Sequence, residues 1–201
     1  MNTEIDNNTG ADNNLQGAFG DRGTNVNAIG YSHPHGEKIM SEIKEMLRAS
    51  QSGNLLLVLI DKNQIPVNIM KGNGETGFSP EMMSIIMQIP GKVDKATGEH
   101  VILLAKALHE AAQELGGHKT PDPMKDIKHY SDFIHSRNLD SLREVLQIIK
   151  ELTNSSYFSV LLDSLEKLGL NDMYKAYIDG ASREQLYEKY AEAYDRQVEG
   201  V

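Results

Sequence analysis

The stretch LLAKALHEAAQELGGHK, residues 103–119, holds the side chains whose types and spacing are best suited to chemistry. His109 and Glu110 stand side by side, and Gln113 follows four positions after His109. Positions i and i+4 of a helix share one face, so an imidazole nitrogen and an amide oxygen would converge there on one point. A carboxylate next to such a pair can act as general base on a metal-bound water, and the chemistry would be metal-assisted hydrolysis. The chain has no cysteine, which removes disulfides and thiolate catalysis and leaves His, carboxylate or amide oxygen as metal ligands. An amide oxygen is a poorer zinc ligand than an imidazole, so zinc held by His109 and Gln113 would be weakly bound.

Such residues need a rigid helix. Thr97 is a capping residue, Glu99 or His100 falls in the first turn, and Gly116-Gly117 end the segment. Val101, Leu104, Leu108 and Leu115 make one apolar stripe, and Ile102, Ala105, His109 and Ala112 make its neighbour. A helix apolar around so much of its circumference is expected at the centre of the fold. Upstream, EKIMSEIKEMLRASQSG places Ile39, Ile43, Met46 and Leu47 on one face of an amphipathic helix. The run LLLVLI at 55–60 is short and lies between breakers, which predicts a buried strand. IPVNIM and MMSIIMQIP predict two further strands, with the Gly-rich KGNGETGFSP as the hairpin turn between them. That loop lacks the spacing and the Lys-Ser or Lys-Thr ending of a phosphate cradle. From about Ile127 onward the pattern is helical.

The order of elements and the HEAAQ segment together resemble the zincin-like fold, in particular small bacterial metallopeptidases that carry an H-E-x-x-H helix after a short sheet. The resemblance covers residues 37–118. It implies His109 and Gln113 as metal ligands, Glu110 as the catalytic base and zinc as the metal. In the metzincin branch the motif runs on to a Gly seven residues after the first His and then to a third His. Gly116 matches that Gly, and His118 stands one residue before the place of the third His. In other branches the third ligand is a carboxylate on a later helix, for which Asp140 and Glu144 are candidates. Gln113 in place of the second His implies altered or lost catalysis.

The remaining histidines read as structural or solvated. His33 and His35 of SHPH belong to a solvated tail, His100 to a helix start, and His129 and His135 to a surface or a cap. The tyrosines at 174, 177, 187, 190 and 194 follow helical spacing and read as packing. No G-x-S-x-G elbow is present. In the last segment Ser182 caps a helix that carries Leu186, Tyr190 and Ala193 on one face, as a closing helix of the domain would.

Lys and Arg number 20 against 29 Asp and Glu, a net charge of −9, which disfavours a nucleic-acid partner. No apolar run reaches membrane-spanning length, and MNTEIDNNTGADNN has neither the basic nor the apolar region of a secretory leader. The expected location is the cytoplasm, with export by a non-classical route open. The reading is an α+β protein with a flexible Asn/Gly-rich tail at 1–35 and one domain at 36–201. That domain has a small, mainly antiparallel sheet packed on the His-Glu helix (36–118) and a helical half (119–201). The expected function is metallopeptidase-related with altered or lost catalysis. The competing class is a non-enzymatic interaction or regulatory protein of bacterial type, with a protein or peptide partner.

Overall fold

The apolar run at 55–60 is helical and not a strand. In the computed structural model, which describes residues 32–122 and 124–199, it lies inside helix α2, Gln51–Lys62. Helix α1, Gly36–Arg48, ends just before it. The Ser50 side chain accepts from the Gly53 N–H and donates to the Leu47 carbonyl, so one residue ends the first helix and caps the second. A short apolar run has no periodicity of its own that separates strand from helix. The difference shows in burial. Leu56, Leu57 and Ile60 are buried on one face, while Leu55 and Val58 are 60% and 55% exposed. A buried strand would have hidden them all.

The sheet is built from β1 (Val67–Lys71), β2 (Gly77–Ser79) and β3 (Ser84–Ile89). Its order is β1-β3-β2. The alternating segments at either end of the Gly-rich stretch form β1 and β3 as expected, but they pair in parallel, Val67 to Lys71 against Ile85 to Ile89. The expected hairpin turn instead supplies β2, which pairs antiparallel with Ser84 to Ile86 from the far side. The sheet is therefore mixed rather than mainly antiparallel. Inserting a strand between β1 and β3 in the chain carries β3 round to start from the same end as β1. Ile69, Ile85, Met87 and Ile89 have no exposed surface and join the sheet to the core.

Helix α3, Gly98–Leu115, is the centre of the molecule and touches α1, α2, α4, α5, β2 and β3. Thr97 caps it reciprocally: its hydroxyl accepts from the His100 N–H, and the His100 ring accepts from the Thr97 N–H. His100 is thus half-buried in a capping box and not a solvated side chain. Val101, Ile102, Leu104, Ala105, Ala107, Leu108 and Ala111 are all buried, as an all-round apolar helix requires. The chain leaves the helix through Gly117, whose φ of 93° favours glycine.

The helical half consists of α4 (Ile127–Glu151), α5 (Phe158–Lys167), α6 (Asn171–Ile178) and α7 (Arg183–Glu199). α4 packs along α3, with Leu139, Leu142, Val145, Leu146, Ile148 and Ile149 buried. Ser182 and Gln185 cap α7 reciprocally. Leu186 and Ala193 are buried, so this helix closes the body against α4 and α6.

Of the tail placed at 1–35, residues 1–31 lie outside the described residues. In residues 32–35 the solvated reading fails for His33, while Ser32, Pro34 and His35 are exposed. The N–H groups of Ser32 and His33 both donate to the Ile69 carbonyl at the edge of β1. His33 is 3% exposed; its Nε2 donates to the Pro90 carbonyl at 3.1 Å and its Nδ1 accepts from the His35 N–H at 3.1 Å. With both ring nitrogens engaged, His33 is a structural residue. No helix among the described residues is long and apolar enough to cross a membrane.

Candidate functional site

Two clefts open beside α3, one on either side of Arg137, and adjacent residues of the helix face different ones. The first, about 690 Å³, lies between α3 and α4 and is lined by His109, Gln113, His118, Asp140 and Glu144 among others. All three residues expected to hold a metal, and both alternative carboxylates, therefore reach one cleft. The second, about 770 Å³, lies between α3, β2 and the segment leading into α4, and it is lined by Lys106, Glu110, Glu114 and Phe78. The expected base is in this second cleft. One helical step of about 100° separates His109 from Glu110, enough to send one toward α4 and the other toward the sheet edge.

His109 Nδ1 lies 3.1 Å from the Ser141 hydroxyl on α4. Burial holds the imidazole below its ordinary titration range; the negative charges of Glu144, Asp140 and Glu110 pull it up, and Arg137 pushes it down. His109 is accordingly a neutral imidazole at neutral pH. Ser141 has 0% exposed surface, so this pair cannot offer its hydroxyl to a substrate as a nucleophile. It ties α3 to α4. Glu110 is ion-paired to Lys106, one turn earlier on the same helix.

Arg137 divides the two clefts and lines both. It is 6% exposed. Nη2 donates to the Glu110 carbonyl at 2.9 Å, and Nη1 donates to the Thr120 hydroxyl at 2.6 Å and to Glu114 Oε2 at 3.4 Å. Thr120 donates both its N–H and its hydroxyl to Glu114. The guanidinium also lies 5.5 Å and 5.9 Å from the ring centres of Phe78 and Phe133. Asp140, across the first cleft, is gripped by Arg183 at 3.0 and 3.2 Å. Arg137, Ser141, Glu114 and Arg183 have no motif to mark them in the sequence. The one signal is that Arg137 and Ser141, four apart, fall on the otherwise apolar buried face of α4.

The site fits a zinc-peptidase centre poorly. Glu110 would have to reach a water on a metal held by His109, yet its carboxylate faces the other cleft and is neutralised by Lys106. Among the described residues, no three or more His, Asp or Glu side chains are placed to hold one metal ion. Gln113 lines the first cleft, but its Oε1 is buried away from solvent and, like Arg137 Nε, has no hydrogen-bond partner among the described residues. No protein-family model matches the chain, and no significant match is found to any curated protein or solved structure.

Proposed function

We propose that this chain is a non-enzymatic interaction protein, laid out like a zinc metallopeptidase but without its catalysis, and that the α3–α4 cleft is its binding site. The observation that carries this reading is the division of labour on α3. His109, Gln113 and His118 line the first cleft, while Glu110 lines the second and is paired with Lys106. A hydrolytic water needs ligand and base on the same side. A cleft of about 690 Å³ with polar groups on its walls is of a size suited to a small ligand or to side chains of a partner.

Zinc titration by calorimetry tests it on the full chain, prepared without a metal-affinity tag. The native protein is expected to show no stoichiometric zinc binding. Gln113→His, which supplies a second imidazole one turn from His109, is expected to gain zinc affinity and no peptide hydrolysis, since Glu110 stays in the neighbouring cleft paired with Lys106. Tight zinc binding by the native protein that His109→Ala abolishes, joined to hydrolysis that Glu110→Gln abolishes, would restore the peptidase reading.

A further inference from the structure

We propose that the outer edge of β2 takes an extended segment of a partner protein as a fourth strand, lying in the second cleft, with an apolar residue opposite Phe78 and Lys or Arg to either side. This surface is distinct from the α3–α4 cleft and goes beyond the binding role given to that cleft. The direction of the backbone groups points to it. The Ile85 N–H donates to the Pro66 carbonyl at 2.9 Å, so Ile85 turns its N–H and C=O toward β1. Its neighbours Ser84 and Ile86 then face β2 and bond to Ser79 and Gly77, their register partners. Phe78, between those two, points its N–H and C=O away from β3, and no hydrogen bond from another described residue reaches them. The opposite edge of the sheet is already engaged, because Ser32 and His33 donate to Ile69 on β1. Glu75, Thr76, Gly77 and Phe78 line the second cleft in succession. A sheet face presents only every second side chain, so the cleft meets this strand along its edge.

Any strand could satisfy those backbone groups, and charge selects among strands. The cations lining the cleft are already matched, Lys106 with Glu110 and Arg137 with Glu114. Glu75 and Glu81, at equal distances along the chain on either side of Phe78, line the cleft, are exposed and form no ion pair with any described residue. A second copy paired antiparallel about Phe78 would set Glu75 of each chain against Glu81 of the other, a like-charge contact made twice. Residues 1–31 of the chain itself are a poor match too, with Glu4, Asp6, Asp12 and Asp21 against Arg22 alone. A foreign strand with Lys or Arg at those places makes both contacts favourable, and a net charge of −9 draws such a strand in. A residue added opposite Phe78 points to the same face of the sheet as Phe78. That face looks toward Arg137 on α4, and Tyr130 and Ile134 of α4 line the same cleft, which suits an apolar side chain.

Three blocked peptides are titrated into the ¹⁵N-labelled full chain: Lys-Thr-Thr-Leu-Thr-Thr-Lys, the same peptide with Glu at both ends, and the Lys peptide N-methylated at its leucine. The Lys peptide is expected to shift the amides of Thr76, Gly77 and Phe78 and to slow hydrogen exchange at Phe78, while the amides of His109 and His118 on the first cleft stay in place. N-methylation removes the N–H that donates to the Phe78 carbonyl and should weaken binding about tenfold. Glu75→Gln combined with Glu81→Gln should weaken the Lys peptide about fivefold and leave the melting temperature unchanged, since both side chains are exposed. Equal binding of the N-methylated peptide overturns strand addition. Equal binding of the Glu-ended peptide, or binding indifferent to the double variant, overturns the basic partner. A Phe78 amide protected without peptide also overturns the proposal, assigning the edge to a second copy if the chain sediments as a dimer and to the chain itself if it is a monomer. If no peptide moves these signals the proposal falls, and the α3–α4 cleft keeps its own test.

Discussion

Arg137 is the residue on which both clefts depend. Its guanidinium is buried with Glu114, and each side chain keeps under a tenth of its surface exposed. Thr120 and the Glu110 carbonyl complete its partners, though Nε has none among the described residues. A buried ion pair gains little net stability, because desolvation offsets most of the attraction. Removing one partner is a different matter, since it strands the other charge. Arg137→Met is therefore expected to lower unfolding stability by about 3 kcal/mol. Lys119, 3.6 Å from Glu114, reduces the loss somewhat. Arg137→Met combined with Glu114→Leu should recover a good part of it, because two apolar side chains of similar size leave no stranded charge. Urea unfolding of the three proteins measures this; a double variant no better than the single would show that the pair is not what Arg137 is for.

At the scale of elements, the close crossing of α3 and α5 depends on the absence of a side chain. Gly98 begins α3, and a Cβ there would stand 2.4 Å from the Ser164 hydroxyl and 2.6 Å from the Val160 carbonyl oxygen. Glycine to alanine inside a helix ordinarily gains stability, up to about 1 kcal/mol. Here the carbonyl belongs to α5 backbone and cannot turn aside. Gly98→Ala is expected to lose about 1–3 kcal/mol, the usual cost of overpacking. Gly77→Ala, where nothing lies within 4 Å of the added carbon, should change little. Thermal melts of the two variants compare them directly, and a gain for Gly98→Ala would mean that the α3–α5 crossing does not depend on the missing side chain. The α1–α2 junction uses the same device, with Gly53 pressed against the Leu47 carbonyl and Ser50.

At the scale of the whole molecule, burying neutral imidazoles adds to the response to mild acid. His109 and His100 both titrate below the ordinary value of 6.5, and burial is the main cause in each. Glu99 pulls His100 up and His33 pushes it down. An unfolded chain takes up protons on these groups at a pH where the folded chain does not. Their contribution is then fully present above pH 6.5 and is lost as the pH falls through the folded values. The urea midpoint should be flat on the neutral side and begin to fall below pH 6.5. His109→Gln, which keeps a polar partner for Ser141 but cannot titrate, should make that fall shallower. An unaltered slope would place the acid sensitivity elsewhere.

The sequence by itself determined what short-range rules control. The amphipathic α1, the central α3 with its Thr97 cap and glycine exit, the alternating β1 and β3, and the Ser182 cap of α7 are written in neighbours a few residues apart. The convergence of His109, Gln113, His118, Asp140 and Glu144 on one cleft was half legible. The i, i+4 spacing joins the first two, but only packing against α4 brings in the carboxylates. Tertiary structure alone decided the rest. The apolar run at 55–60 became α2 because its exposed and buried residues sort by helical, not alternating, neighbours. The Gly-rich stretch became a strand because β3 offered it a free edge. His33 left the tail because a carbonyl on β1 and another at Pro90 awaited donors. The side of α3 that Glu110 faces belongs to the same class. A helix apolar nearly all round carries no local mark of which neighbour will cover which face, so the arrangement of α4 and the sheet around it assigned His109 and Glu110 to separate clefts.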